Sequence, residues 1–79
     1  MKYGEHFEER LAGQRAYLRR EWCEQVVAAP VRVEQQANGR IRYWAHIPEL
    51  GKYLRVVMEA DGDTVVTAFP DRGFREQTP

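Results

Sequence analysis

The chain has 79 residues, enough for one domain around a single modest core and too few for a second. It is 43% hydrophobic and 30% charged, with twelve basic and twelve acidic side chains, a balance that excludes the highly charged disordered class. A core of this size leaves part of the stability to a partner or a second copy.

In chain order, the first apolar positions fall at helical spacing. Phe7 and Leu11, then Leu18, Trp22 and Val26 with Cys23 and Val27, predict helices over about 5–13 and 19–28, with a break near Gly13. Pro30 closes the second helix, because it lacks the N–H a further turn needs and pushes Ala29 towards extended backbone. Cys23 is the lone cysteine and lies on the apolar stripe of that helix, which makes it a packing thiol and rules out an internal disulfide.

Four strands follow, over about 31–36, 40–47, 53–59 and 64–69, joined by connections short enough for antiparallel hairpins. The fold class this predicts is α+β, two N-terminal helices packed on a four-stranded antiparallel meander. A three-residue loop with Gly39 left-handed pairs Val33 with Tyr43 and Val31 with Ala45, which gathers the apolar side chains on one face. A two-residue turn at Asp61-Gly62 pairs Met58 with Val65, Val56 with Thr67 and Leu54 with Phe69, and so points Thr67 inward. The opposite face then carries Arg42, Trp44 and His46, Arg55 and Val57, and Val66 and Ala68. Only the chain after Phe69 is left to cover it, and residues 70–79 read as an irregular, fraying tail.

The charge is unevenly spread. Residues 31–55 carry five basic side chains against two acidic ones, whereas 56–79 carry two against five. Ten of the twelve basic residues are arginine, whose planar fork suits phosphate oxygens and which a GC-rich genome also enriches. On the middle strands, Arg40, Arg42, Trp44 and His46 offer cations and an aromatic platform for an unpaired base. The same residues also fit a solvated cation–π pair shielding the indole, or an anchor for a protein partner.

His6 and Arg10 stand one helical turn apart at the border of the first helix. Cleavage of RNA by its own 2′-hydroxyl needs a base, an acid and cations that stabilise the phosphorane, and His6 with Arg10, Arg42 or Arg55 meets that list. His46 is the second imidazole available. Read blandly, both are surface histidines. Two histidines forty positions apart with one cysteine give no metal spacing, so neither metal nor other cofactor is expected. No apolar run reaches the ~18 residues of a membrane span or forms a signal core, so a cytoplasmic location with no membrane partner is expected.

Taken in order, His6-Phe7-Glu8-Glu9-Arg10, Pro30, Gly39-Arg40-Ile41-Arg42-Tyr43, Leu54-Arg55-Val56-Val57, Thr67-Ala68-Phe69 and Asp71-Arg72 resemble a family of small bacterial and phage domains. That family is grouped with the barnase–EndoU–colicin–RelE class of metal-independent ribonucleases. The resemblance implies helices against a curled antiparallel sheet and a ribonuclease or toxin-related role. It points to His6, Arg10, Arg55 and Thr67 as the functional set, with RNA as substrate and an antitoxin or a second copy as protein partner. The chain departs from RelE-like toxins in its zero net charge and shorter C-terminus.

Overall fold

A computed structural model describes residues 1–12 and 18–74, apart from the side chains of His6, Arg10, Leu11 and Ala12. The elements are β1 (Lys2–Tyr3), α1 (Glu5–Ala12), α2 (Arg20–Ala28), β2 (Arg32–Gln35), β3 (Ile41–Ile47), β4 (Lys52–Met58) and β5 (Thr64–Pro70). The expected break near Gly13 lies outside the described residues.

The expected four-stranded antiparallel meander is overturned. The sheet has five strands in the order β1-β5-β4-β3-β2, and it is mixed, because β1 runs parallel to β5. Two residues carry no periodicity, so β1 leaves no trace in the apolar pattern. What forms it is backbone hydrogen bonding: Lys2 N–H donates to the Asp63 carbonyl at 2.7 Å and Gly4 N–H to Val65 at 2.9 Å. A Cβ at position 4 would lie 3.1 Å from the Val65 oxygen, so the close approach of the two backbones favours glycine there.

α2 follows its apolar stripe. Trp22, Cys23 and Val26 are buried where the helix packs on β3 and β4, Leu18 just before it is buried in the same core, and the helix stops at Ala28 before Pro30. α1 packs on β5 through Phe7, which is 1% exposed and stacks obliquely on Tyr3 at 5.1 Å. Glu8 pairs with Arg20 between the helices, and the Tyr3 hydroxyl donates to Glu24 at 2.7 Å. Burial, then the bond to Glu24, pushes the Tyr3 pKa upward. The helices and the inner face of the sheet enclose one core of Phe7, Leu18, Trp22, Cys23, Val26, Ala45, Ile47, Leu54, Val56, Met58, Val65 and Ala68.

The first hairpin has the expected register. Val33 lies opposite Tyr43, and Gly39 closes the loop at φ +91°. In the last hairpin Met58 faces Val65 as expected, but the remaining pairs slip by one: Val56 faces Ala68, Leu54 faces Pro70 and Val57 faces Thr67. Val66 is the extra residue, a bulge between Val57↔Thr67 and Met58↔Val65. With a period of two, one added residue exchanges the faces beyond it. Ala68 is therefore in the core at 2% exposed, and Thr67 leaves the predicted inward position for the outer face.

Candidate functional site: an arginine groove on the outer face

The sheet has a second face, away from the helices, and its composition follows from the register. β3 contributes Arg42, Trp44 and His46 to it. Across β4 these pair with Val57, Arg55 and Tyr53, respectively. On the other side of β4, Arg55 pairs with Phe69 and Val57 with Thr67. Arg32 and Glu34 of β2 complete the face, opposite Trp44 and Arg42. Arg55 is thus central, with His46 and Thr67 at diagonal positions on its two flanks, each about 7–8 Å away by sheet geometry.

The expected exposed platform at Trp44 is corrected: the indole is 3% exposed. The segment after β5 is not a fraying tail as far as Phe74 but a turn that folds back over this ring. Phe74 stacks on Trp44 at 5.2 Å with an interplanar angle of 16°, and packs obliquely on Tyr53 at 4.9 Å. Arg55 lies over the indole at 5.3 Å and over Phe69 at 4.9 Å, and Arg32 lies 5.9 Å from the Trp44 ring. These are the shielding contacts of a cation–π cluster, and they leave no room for a base on Trp44.

Asp71 holds this cap in place. One carboxylate oxygen accepts from Trp44 Nε1 at 3.0 Å and from Arg55 Nε and a terminal guanidinium nitrogen at 3.1 and 2.8 Å. The other accepts from the Gly73 N–H at 3.1 Å, while the Asp71 N–H donates to the Tyr53 carbonyl at 2.9 Å. Burial alone would raise the Asp71 pKa. The bonds from Trp44 and Arg55, the Arg55 charge and the Gly73 N–H outweigh it and hold the carboxyl below its usual range.

Arg32, Glu34, Arg42, Trp44, Arg55, Asp71, Gly73 and Phe74 line an open groove of about 540 Å³. Its three guanidiniums face two carboxylates, for a local charge of one positive. Glu34 pairs with Arg32 and, at 3.8 Å, with Arg42. The groove presents planar donors to an anion, and its cations are held in position by carboxylates that an incoming anion would have to displace.

Of the residues singled out from the sequence, Arg42, Trp44, His46, Arg55 and Thr67 share this face. Arg40 sits at the hairpin end, paired with Glu59 at 3.1 Å. The backbone of His6 and Arg10 belongs to α1, which packs on the helix side of β5; their side chains lie outside the described residues. His46 is exposed, with Tyr53 edge-on at 5.2 Å. Sequence reasoning missed Arg32, Glu34 and Phe74 and gave no partner for Asp71. The signal for Arg32 was present, since pairing Val33 with Tyr43 sets Arg32 opposite Trp44.

Cys23 is 0% exposed, and burial, then the neighbouring Glu24, pushes its thiol up to about 12, which removes it from nucleophilic chemistry at neutral pH. Among the described residues, no helix is long and apolar enough to cross a membrane. No family model matches the chain, and neither a curated protein nor a solved structure was found to be similar to it.

Proposed function

We propose that the chain is an RNA-directed domain of the metal-independent endoribonuclease kind, in which the arginine groove receives the phosphodiester, the RNA 2′-hydroxyl gives up its proton and attacks the adjacent phosphorus, and the P–O5′ bond breaks to release a protonated 5′-hydroxyl and leave a 2′,3′-cyclic phosphate. The observation that carries this reading is the register around Arg55, which sets Arg42, His46, Arg55 and Thr67 on one face. Guanidiniums there would stabilise the charge that develops on the phosphorane, and an exposed imidazole at His46 could take or return a proton. The resemblance also points to His6 and Arg10, whose helix α1 packs on the other side of the sheet from the groove, and it suggests a toxin-related setting. In this arrangement Arg55 must exchange its bond to Asp71 for one to phosphate, and the Thr67 hydroxyl is a neutral donor beside it.

A second reading is favoured by the Asp71–Arg55 pair itself. A cation already neutralised at 2.8 Å suits a module that binds single-stranded RNA through the remaining arginines and does not cut it.

Labelled RNA in EDTA separates the two readings, with wild type, His6→Ala, His46→Ala and Arg55→Ala compared on a gel and by filter binding. Cleavage that is lost with Arg55→Ala and with one histidine variant supports the ribonuclease reading. Salt-sensitive binding with no product supports the second. No binding and no product would refute both.

A further inference from the structure

The outer edge of β2 carries a pattern that pairs with itself. We propose that two copies of the chain join by antiparallel β2–β2 pairing about Val33, which would continue the sheet across a twofold axis. β2 is the last strand in the sheet order, and among the described residues it pairs only with β3.

The backbone direction follows from the first hairpin. Gln36 N–H donates to the Arg40 carbonyl at 2.7 Å, so Gln36, Glu34 and Arg32 turn their peptide groups towards β3. By alternation, Val33 and Gln35 present N–H and C=O to the outside, whereas the Val31 N–H donates inward to the Trp44 carbonyl at 2.8 Å, so the outward donors are those of Val33 and Gln35. Among the described residues, two of the three exposed large hydrophobic side chains lie at this edge, Val31 at 46% and Val33 at 50%.

Charge selects the register. With Val33 opposite its own copy, Arg32 faces Glu34 of the second copy, Glu34 faces Arg32, and Val31 faces Gln35. Sliding by two residues one way brings Arg32 opposite Arg32, and sliding the other way brings Glu34 opposite Glu34. Like charges directly opposite destabilise a strand pair, so of these three registers the one centred on Val33 is free of repulsion, and it also pairs each charge with its opposite. In that register Arg42, already 3.8 Å from Glu34, joins an alternating network with the second copy's Arg32. A twofold axis between antiparallel strands stands perpendicular to the sheet, so the two arginine grooves come to lie side by side on one face. The proposal does not depend on RNA being the ligand of that groove.

A four-residue strand edge buries less than the ~1,200 Å² of a standard interface, which places the dissociation constant in the micromolar range or weaker. The test is sedimentation velocity of the purified chain from about 10 µM to about 1 mM, the span over which such an interface associates. Circular dichroism of every variant checks that it is folded. Wild type should move from monomer towards dimer with concentration. Arg32→Glu and Glu34→Arg should each weaken association roughly tenfold or more, since each sets like charges opposite one another twice. The double reversal R32E/E34R should restore it. Val33→Pro removes an outward N–H that the β2–β3 ladder does not use, so it should give a folded monomer. A wild type that stays monomeric throughout, single reversals that associate as well as wild type, or a double reversal that stays monomeric would each overturn the proposal.

Discussion

Asp71→Ala tests whether the turn after β5 is part of the fold. The carboxylate accepts from Trp44 Nε1, from two Arg55 nitrogens and from the Gly73 N–H, all between 2.8 and 3.1 Å. Removing it leaves the indole N–H of a 3%-exposed ring without an acceptor, a loss of about 1–3 kcal/mol. The Arg55 side chain is 27% exposed and regains water, so its share is at most about 1 kcal/mol. The expected total is about 2–3 kcal/mol, against the roughly 4–12 kcal/mol available to a domain of this length. Thermal denaturation should show Tm about 10–20 °C lower, and urea titration should show a lower midpoint with an unchanged slope. Asp71→Asn keeps an acceptor for Trp44 and loses only the charge facing Arg55, so it should cost about 1 kcal/mol. An alanine variant within about 0.5 kcal/mol of wild type would refute the assignment, because the carboxylate would then be a surface contact and Trp44 would be covered by other means.

Acid should weaken the same cap: the bonds from Trp44 and Arg55 hold the Asp71 carboxyl below its usual range in the fold, so its contribution is complete above about pH 5 and is lost as pH falls through the folded value. Stability measured from pH 6 to pH 2.5 should therefore fall more steeply for wild type than for Asp71→Asn. Cys23 is fully buried with its thiol pushed up to about 12, so a disulfide reagent at pH 8 should leave native protein unmodified and react once urea unfolds it, at a rate that tracks opening. Gly39→Ala should cost about 1–2 kcal/mol by urea titration. Its φ of +91° penalises any Cβ, while the nearest atom to that Cβ, 3.5 Å away on Ala60, is an ordinary contact.

How far the sequence carries depends on how many residues enforce each feature. α2 is written by five apolar positions and a terminal proline, and it stops where they say, at Ala28. The first hairpin is legible because only a three-residue loop keeps Val33 and Tyr43 on one face, and Gly39 is there to take the positive φ. The last hairpin lacks that redundancy. Val65, Val66, Ala68 and Phe69 are apolar at both parities, so the alternation cannot tell a regular strand from one with a bulge at Val66, and it predicts the inner face for Thr67, which lies on the outer one. β1 escapes altogether, since two residues held by backbone bonds to Asp63 and Val65 have no side-chain pattern to read.

The candidate site repeats this division and shows what decides it. Strand parity alone puts Arg42, Trp44, His46 and Arg55 together, so that much follows from the sequence. What the face does with them depends on a segment of four residues whose composition, Asp71-Arg72-Gly73-Phe74, reads as a loose end. A large indole on a sheet face that no helix covers needs both an apolar lid and an acceptor for its N–H. Phe74 supplies the first and Asp71 the second. Asp71 also holds Arg55 through a charged pair, so the contact that buries Trp44 is the one that an anion entering the groove must break. Binding at Arg55 and opening of the cap are therefore linked: a ligand that takes the guanidinium lowers the stability of the turn, and a variant that loosens the turn frees the guanidinium. Asp71→Asn separates these effects. A gain in anion affinity alongside its small loss of stability means that the turn competes for Arg55, and unchanged affinity means that anions bind elsewhere in the groove, at Arg32 and Arg42.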